Sequence, residues 1–293
     1  MNWRKDLNLG IKPNQLLKDK TTFRIGGKAE VFACPKDEEI LRKLVIFARK
    51  DKLPVFILGA GSNILAADSG LKGLVIRLSS SAFTGFKFDG NLVRVGCGLM
   101  LTRLIQEARR RSLSGVERLT GIPGTVGGAM VMNAGAWGKS IADSVKEVTV
   151  MDYNGRILVI RKDNAGFVYR NSKLGKYIVL EAVLSLVKKD KRKIAGAVKK
   201  ILAQRHQSQD NTLPNAGCIF KNPAKDSAGR LIDACGLKGR RAGRAVISKK
   251  HANFILNLGS AKSRDVLKLM ELARRSVRNK FKVVLEPEIK IWC

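Results

Sequence analysis

The sequence predicts an α+β fold, because amphipathic helices and alternating strands occur without a strict βαβ rhythm. Residues 37–50 carry apolar side chains at helical spacing, with acids first and bases last. An apolar run at 54–58 stops at a glycine turn, as a buried strand does. Asn154-Gly155 separates two alternating runs, a pattern that predicts a β-hairpin.

The other elements follow from the same two periodicities. Further strands are predicted at 73–78, 91–95, 177–187 and 283–292, and further helices at 101–111, 189–209, 230–234 and 264–280. The helical stretch at 189–209 is strongly basic, and we expect it to lead into a last domain.

Charge is the most unusual property of the composition. The 293 residues include 56 lysines and arginines against 24 acids, which gives a net charge of +32 and a pI near 10.4. Such a balance favours anionic partners: nucleic acid, acidic lipid or small molecules that carry phosphate. A solvated basic surface that reflects a general residue bias explains the charge equally well.

Cysteine usage and the amino terminus indicate a cytoplasmic protein. The five cysteines (34, 97, 218, 235, 293) are scattered and form no CxxC pair, which favours a reducing compartment and argues against disulfides and zinc. Two histidines, His206 and His251, are too few for a metal site. The start, MNWRKDLNLG, lacks the apolar core of a signal peptide. Residues 119–138 are uncharged, but their six glycines argue against a membrane helix.

Two glycine-rich segments, 58–63 and 121–138, match no standard phosphate-binding motif. A P-loop ending at Gly138-Lys139-Ser140 has Asn133 where glycine is required. A Rossmann match beginning at Gly59 has Ile64 in its last position. Bare backbone can still approach a ligand closely, and successive N–H groups can hold a pyrophosphate. The two segments could grip one dinucleotide from two sides; alternatively, the glycines serve only tight turns and close packing.

Eight ordered blocks carry a resemblance to a known family. They are TTFRIGGKAEVFACP, LGAGSNIL, GIPGTVGGAMVMNAGAWG, YRNS, PNAGCIFKNP, AGRLIDACGLKG, KHANFILN and LEPEIK, and they cover the chain from about Asn14 to its end. The chain resembles the UDP-N-acetylenolpyruvoylglucosamine reductases, known as MurB. Only 33 residues separate Arg170 from Gln204. That is similar to the shorter, second type of the family, which lacks a tyrosine-bearing loop.

The resemblance implies a two-part FAD-binding region of the vanillyl-alcohol-oxidase type and a C-terminal α+β substrate domain. We expect FAD-binding subdomains at 1–78 and 79–188 and a substrate-binding domain at 189–293. FAD would be bound, and NADPH would donate the hydride. The expected cofactor-binding residues lie in the two glycine segments: Leu58, Gly59, Ala60, Gly61, Ser62, Asn63, Gly121, Pro123, Gly124, Gly127, Gly128, Asn133, Ala134 and Gly135.

The family reaction reduces UDP-N-acetylglucosamine enolpyruvate to UDP-N-acetylmuramate, a precursor of the bacterial cell wall. Arg170 matches the arginine that stabilises the enolate, because a guanidinium stays charged and forks onto a carboxylate. Glu288 matches the glutamate that assists it, and we expect burial and the substrate carboxylate to raise its pKa. From the residues alone, a plain ion pair or a surface charge would explain either side chain.

At Cys218 the chain departs from the family pattern, which usually has a serine as proton donor. A thiol has a reference pKa of about 8.5 and is a stronger acid than a serine hydroxyl, so we expect activity to survive. We also expect sensitivity to alkylation and oxidation. A buried small hydrophobe is the ordinary interpretation of an isolated cysteine.

Substrate binding is expected from Lys221 and Asn222, which match family contacts to the sugar nucleotide. Arg205 is a candidate partner of the diphosphate, and helix-surface charge explains it nearly as well. Residues 234–264 contain eight bases and no acid, a surface that could steer anionic substrates into a cleft.

Three rival functions were weighed against the reductase. A nucleic-acid binder would use the bases, but aromatic residues are only 6% and no known nucleic-acid motif occurs, so no specific nucleic-acid partner is expected. Another FAD-linked oxidoreductase of the same fold would have no reason to keep Arg170, the Lys221-Asn222 pair and Glu288 together. A descendant without flavin would not need the intact glycine segments. We expect a monomer without a membrane span.

Overall fold

A computed structural model describes Arg4 and residues 6–293 of the chain. The expectation about a signal peptide falls partly on residues 1–3 and 5, which lie outside the described residues. The α-helices are α1 (Glu38–Lys50), α2 (Ser81–Thr84), α3 (Leu101–Arg110), α4 (Val126–Met132), α5 (Lys191–Ser208), α6 (Ala228–Ala234) and α7 (Ser263–Phe281). Short 3-10 helices occupy Leu7–Leu9, Leu17–Lys20, Glu117–Leu119, Ile141–Asp143, Lys162–Asn164 and Lys173–Lys176.

Most strands are short, and they are distributed along the whole chain. They are β1 (Ala29–Ala33), β2 (Val55–Ile57), β3 (Ile64–Ala66), β4 (Leu71–Ile76), β5 (Phe86–Asp89), β6 (Leu92–Gly96), β7 (Leu113–Ser114), β8 (Gly135–Ala136), β9 (Lys139–Ser140), β10 (Val145–Met151), β11 (Ile157–Arg161), β12 (Ile178–Ser185), β13 (Val187–Lys188), β14 (Arg241–Ala242), β15 (Ala245–Ile247), β16 (Ile255–Asn257) and β17 (Lys290–Trp292). This mixture confirms the predicted α+β class.

The chain divides into two compact units, each discontinuous in sequence. Unit 1 consists of Met1–Pro13, Val31–Ala60 and Gly73–Gln204, and unit 2 of Asn14–Glu30, Gly61–Lys72 and Arg205–Cys293. The passage at Gln204–Arg205 falls inside α5, the basic helix expected to lead into the last domain. The predicted three-part division at residues 78 and 188 concerns functional domains and stays a prediction.

Unit 1 is built around a five-stranded antiparallel sheet with the order β11-β10-β12-β6-β5. The predicted hairpin is present: β10 pairs with β11 from Glu147↔Arg161 to Met151↔Ile157. Asp152 closes its turn, because its Oδ1 accepts from the N–H groups of Asn154 and Arg156, both at 2.8 Å. Gly155 takes the left-handed conformation that the turn requires, with φ 82°.

Two predicted helices, α1 and α3, contribute apolar faces to the core of unit 1. α1 begins where the Asp37 carboxylate accepts from the N–H of Ile40, and it buries Leu41 and Leu44 completely. α3 buries Leu101 and Leu104. These side chains belong to one continuous cluster with the inner faces of β6, β10 and β12, so the sheet and the helices share a single core.

Unit 2 packs a three-stranded sheet, one long-range strand pair and two helices around its own core. β15 pairs with β14 and β16 in an antiparallel sheet, and β17 pairs in parallel with β3. The core consists of apolar side chains from α6, α7 and the strands, among them Phe220, Leu231 and Val266. The β3–β17 pairing joins residues more than 200 positions apart in the chain and therefore fixes the carboxyl-terminal segment.

Two sequence predictions need correction. The predicted closing strand at 283–292 is a strand only at Lys290–Trp292. Pro287 lacks an N–H donor and interrupts the ladder, so 286–288 runs extended and bonds irregularly to 219–221. The glycine-rich segment 121–138 is not all loop, since α4 begins within it. Thr125 caps that helix by accepting from the N–H of Gly128 at 3.3 Å.

None of the five cysteines, all of which lie in the described part of the chain, forms a disulfide. Among Arg4 and residues 6–293, no group of His, Cys, Asp and Glu side chains is arranged to hold a metal ion. In that same part of the chain, no helix combines the length and apolar character needed to cross a membrane.

Glu107 on α3 yields a stability prediction. It is only 4% exposed, and its carboxylate accepts from Arg111 at 2.6 Å and lies within 3.1 Å of Arg103 and Arg110. The hydrogen bond from Arg111 lowers the pKa of this carboxyl group below its usual value, and the three arginine charges add to that effect. Stability from such a group is present above the unfolded pKa of about 4.3 and is lost as the pH falls through the folded value.

We therefore expect Glu107→Gln to lower the melting temperature at pH 7 and to lose this effect towards pH 3, measured by thermal unfolding across that range. Glu39→Gln is the matched control, because Glu39 is exposed and forms a surface ion pair with Lys43. Equal shifts in both variants at pH 7 would contradict a special role of Glu107.

Candidate functional site

The first glycine segment, 58–63, follows a strand, as predicted. Leu58 at its start is buried and donates its N–H to the carbonyl of Ile76 at 2.9 Å. Gly59 lies so close to the cap of α4 that a Cβ added there would be 2.7 Å from Thr125 Oγ1. The two predicted cofactor segments therefore touch within unit 1, at Gly59 and Thr125.

The later residues of this segment, 61–63, belong to unit 2. Gly61 has φ 69°, and a Cβ there would lie 2.1 Å from the carbonyl oxygen of Lys20, so only glycine fits. Asn63 donates from Nδ2 to the carbonyl of Glu288 at 3.1 Å and accepts from the N–H of Lys290 at 2.9 Å. A predicted cofactor residue is thus bonded directly to the main chain of the predicted catalytic glutamate. Ser62 is half-buried beside them.

The glycines of the second segment fall into two groups. At Gly127 a Cβ would lie 2.9 Å from Cys97 Cβ, and at Gly135 one would lie 2.1 Å from the carbonyl of Lys139. These two glycines are required by packing within the protein. At Gly124 and Gly128 the nearest described atom would be 3.5 Å away, an ordinary contact. Packing alone therefore does not explain Gly124 and Gly128, and their exposed backbone is open to a ligand.

The remaining predicted cofactor positions of this segment shape its two ends. Gly121 is exposed with φ 80°, and Pro123 is exposed next to Gly124. Asn133 ends α4 in the left-handed conformation with φ 43°, and the buried Ala134 donates its N–H to Ala129 at 2.9 Å. The segment turns sharply at both ends and carries no charged side chain between them.

The turn that carries Arg170 (168–171) and the second glycine segment are bonded to each other in both directions. Arg170 Nη1 donates to the carbonyl of Gly135 at 2.7 Å, and Asn133 Nδ2 donates to the carbonyl of Val168 at 2.9 Å. Val168 and Asn171 pair through their main chains, which places Arg170 at a tight turn with φ 55°. The guanidinium also lies 5.5 Å from the Tyr169 ring centre. The predicted catalytic arginine is therefore fixed against the predicted cofactor segment.

Cys218 and Glu288 lie on neighbouring extended segments of unit 2. Cys218 faces Phe254 in an antiparallel bridge, and the N–H of Glu288 donates to the carbonyl of Ile219 at 2.8 Å. One residue further on, Lys221 donates its N–H to Glu286 at 2.9 Å. Both Cys218 and Glu288 are half-buried. The structure thus brings these two predicted catalytic residues into one hydrogen-bonded strand pair, while Arg170 belongs to unit 1.

The predicted substrate contacts have structural partners of their own. Lys221 Nζ forms an ion pair with Glu286 at 2.6 Å. Asn222 accepts at Oδ1 from the N–H of Ala228 at 3.0 Å, at the start of α6. Arg205 is 8% exposed, which disagrees with its alternative interpretation as helix-surface charge. The eight bases between 234 and 264 are all exposed.

Sequence reasoning missed a buried polar network beside Cys218. Asp210 is 7% exposed and accepts from Ser248 Oγ and Thr212 Oγ1, both at 2.6 Å. Burial is the largest single effect on the pKa of Asp210, and it raises that pKa. The hydrogen bonds from Ser248 and Thr212 act in the opposite direction, and the net pKa is lowered. Asn253 is 1% exposed and bonds to Phe220. The KHANFILN block contained the signal for Asn253, a polar residue within an otherwise apolar run.

Family models match both parts of the chain. A model described as FAD binding domain matches residues 29–161, and one described as UDP-N-acetylenolpyruvoylglucosamine reductase, C-terminal domain, matches residues 207–292. With the two glycine segments of the structure, these matches define an FAD-containing oxidoreductase of α+β fold, with an FAD-binding domain and a distinct C-terminal domain.

Similar proteins cover nearly the whole chain. UDP-N-acetylenolpyruvoylglucosamine reductase 2 of Symbiobacterium thermophilum is 45% identical, over 96% of this chain and 92% of its own. The reductase of Desulforamulus reducens is 40% identical, over 96% and 93%. The crystal structure of MurB from Thermus caldophilus aligns with a TM-score of 0.83 at 39% identity, covering 97% of this chain and 99% of its own. The chain belongs to the UDP-N-acetylenolpyruvoylglucosamine reductase family.

The residues present fit FAD. At Gly124 and Gly128 the protein itself does not exclude a side chain, and no charged side chain interrupts the segment. Thr120, directly before this segment, is 7% exposed, and its Oγ1 is buried without a hydrogen-bond partner in the described chain. A buried hydroxyl without a partner costs free energy, and a bound ligand with polar edges would supply one.

We expect Thr120→Val to stabilise the flavin-free protein by about 1 kcal/mol, because it removes an unsatisfied buried hydroxyl. The same variant should bind FAD about threefold to tenfold more weakly, which corresponds to one lost hydrogen bond. Thermal unfolding of the flavin-free protein and flavin titration measure the two effects. Thr125→Val is the control, because Thr125 Oγ1 already caps α4 and its loss should destabilise. Lower stability of Thr120→Val without FAD would disprove the assignment.

Proposed function

We propose that this chain reduces UDP-N-acetylglucosamine enolpyruvate to UDP-N-acetylmuramate, with NADPH as hydride donor. Bound FAD supplies the transfer of hydride from NADPH to the terminal carbon of the enolpyruvyl double bond. One observation supports this function most: in each compact unit, a cofactor-segment residue is hydrogen-bonded to a residue that the chemistry needs. Arg170 bonds to Gly135 in unit 1, and Asn63 bonds to Glu288 in unit 2.

Arg170 is proposed to stabilise the negative charge that develops on the substrate carboxylate as it becomes an enolate. A guanidinium stays protonated and can donate two parallel hydrogen bonds to a carboxylate. Its bond to the Gly135 carbonyl holds the group in one orientation before the substrate arrives. Such fixed dipoles need no reorganisation as charge develops, which is how an electrostatic site lowers a barrier.

Glu288 and Cys218 are proposed to complete the proton chemistry. A protonated Glu288 would donate a hydrogen bond to the developing enolate, which requires the raised pKa expected from the sequence. The Cys218 thiol would deliver the proton to the carbon next to the carboxylate. The Glu288–Ile219 main-chain bond keeps the two side chains on neighbouring strands of one unit.

The substrate is proposed to be held by Lys221, Asn222 and Arg205 through its sugar and diphosphate groups. The exposed bases of 234–264 would attract anionic substrates over long range, with an association rate that falls as salt rises. We propose that the protein works as a cytoplasmic monomer in peptidoglycan precursor synthesis, and so in cell shape and cell division. No specific nucleic-acid partner and no membrane span are part of this proposal.

The absorption spectrum of the purified protein tests this function. We expect a yellow protein that bleaches with NADPH under anaerobic conditions and regains its colour when UDP-N-acetylglucosamine enolpyruvate is added. A protein that bleaches but does not regain colour would be another FAD-linked oxidoreductase of this fold. A colourless protein that takes up no added FAD would overturn the reductase function.

Cys218 yields a separate prediction about chemical sensitivity. We expect iodoacetamide to inactivate the enzyme, because an alkylated sulfur cannot donate a proton and adds bulk beside Glu288. Cys218→Ser should keep turnover within about tenfold, since the serine hydroxyl can also donate, and should resist inactivation. Cys235→Ser is the matched control and should remain sensitive, because Cys235 is a half-buried cysteine at the end of α6. Inactivation of Cys218→Ser at the unaltered rate would assign the effect to another cysteine.

A further inference from the structure

Asn253, in the loop 250–253 that precedes β16, is 1% exposed. Its own N–H donates to His251 Nδ1 at 3.2 Å, which holds the start of the loop. Burial lowers the pKa of His251, and the charge of Lys238 acts in the same direction. In the neutral imidazole of His251, Nδ1 is able to accept this hydrogen bond. The proposed chemistry assigns no role to the buried amide of Asn253.

The side chain of Asn253 bonds to the main-chain N–H and carbonyl of Phe220, as a neighbouring β-strand would. The Phe220 N–H donates to Asn253 Oδ1 at 2.9 Å, and Asn253 Nδ2 donates to the Phe220 carbonyl at 2.7 Å. The carbonyl of Asn253 also accepts from the N–H of Ile219 at 2.9 Å. Phe220 is 2% exposed, so water does not replace these bonds readily. One residue thus satisfies three main-chain groups directly after Cys218.

The opposite edge of the same segment carries the bonds to Glu288. The carbonyl of Ile219 accepts from Glu288 N–H at 2.8 Å, and Lys221 N–H donates to Glu286 at 2.9 Å. Residues 218–221 are therefore bonded to Asn253 and to 286–288. A shift of this segment would move both Cys218 and the main chain that orients Glu288.

We infer that Asn253 is a positioning residue for Cys218 and Glu288, and this inference rests on the proposed function. It fixes the segment that carries the proton donor with a planar amide, whose oxygen and nitrogen bond to the N–H and the carbonyl of one residue, Phe220. A proton donor has to lie within hydrogen-bond reach of the carbon it serves, and a misplacement of about 1 Å can cost about 100-fold in rate.

The protein contains a matched control in Asn257. Asn257 is 2% exposed, donates from Nδ2 to the carbonyl of Phe23 at 2.9 Å, and accepts at Oδ1 from two main-chain N–H groups, those of Gly259 and Ala261. It is a buried asparagine with the same chemistry in the same unit, but its side chain bonds to other segments. Its loss should destabilise the fold similarly without releasing the strand of Cys218.

The test compares Asn253→Ala with Asn257→Ala in the full-length, FAD-loaded protein. The rate of iodoacetamide alkylation is measured for each cysteine by peptide mass spectrometry across pH 6–10, together with kcat and KM. For Asn253→Ala we expect about tenfold to 100-fold lower kcat, a KM within about threefold, and faster alkylation of Cys218 but not of Cys235. For Asn257→Ala we expect Cys218 alkylation to stay at the wild-type rate.

A second comparison asks whether Asn253 acts through Cys218. In a Cys218→Ala background the proton donor is absent, so Asn253→Ala should lower kcat by much less than it does in the wild type. The full reduction in both backgrounds would overturn the inference, as would equal acceleration of Cys218 alkylation in Asn253→Ala and Asn257→Ala.

If Asn253→Ala does not fold, Asn253→Asp keeps the size and the acceptor for the Phe220 N–H but removes the donor to its carbonyl. We expect it to lower kcat with FAD content unchanged, and Asn257→Asp controls for the added charge. Wild-type kcat in Asn253→Asp would overturn the inference. The alkylation experiment needs no turnover, so a protein that lacks reductase activity but shows the Cys218 effect would disprove the proposed function and retain the positioning role.

Discussion

The hydrogen bond from Arg170 to the carbonyl of Gly135 is the contact that fixes a cation against the second glycine segment in unit 1. That segment carries no charged side chain, so an uncharged main-chain carbonyl holds the guanidinium in place. Gly135 can offer that carbonyl because it packs against Lys139, where any side chain would collide with main chain. The glycine that packing requires is therefore also the residue that positions the charge.

The same arrangement occurs in unit 2 with different residues. Asn63 follows a glycine that only a bare backbone permits, and its amide reaches the carbonyl of Glu288. In both units, close packing of glycine brings main-chain groups to where side chains can bond to them. If these residues have the proposed roles, cofactor binding and catalysis depend on the same supporting contacts, and a substitution in one segment would alter the other.

Much of this fold could be predicted from local patterns, and the reasons differ between elements. α1 and the β10–β11 hairpin follow from capping, periodicity and an Asn-Gly turn, which act over a few residues. The end of the chain could not be predicted in this way: 283–292 has the composition of a strand, but Pro287 and partners some 70 residues earlier decide where its ladder breaks. Helix α4 could not be predicted because glycine is a poor helix former. Capping by Thr125 and tertiary packing outweigh that low propensity in the folded protein.

The candidate site shows the same division. Arg170, Cys218 and Glu288 were identified through family blocks, since a lone arginine, cysteine or glutamate carries no signal of its own in sequence. Asn253 could not be predicted, because its side chain completes the hydrogen bonds of a distant segment. A sequence does not show which distant peptide groups need partners. The sequence likewise carries no signal for the buried Asp210.

The side-chain amide of Asn222 has a direction imposed on it by the fold. Its oxygen accepts a hydrogen bond from the N–H of Ala228, at the start of α6. The nitrogen end of the amide can only donate. A molecule that bound at this end would have to present an acceptor, such as a phosphate or carbonyl oxygen, and a hydroxyl would have to turn its lone pair towards the protein. The start of a short helix would in this way set the orientation in which such a molecule binds.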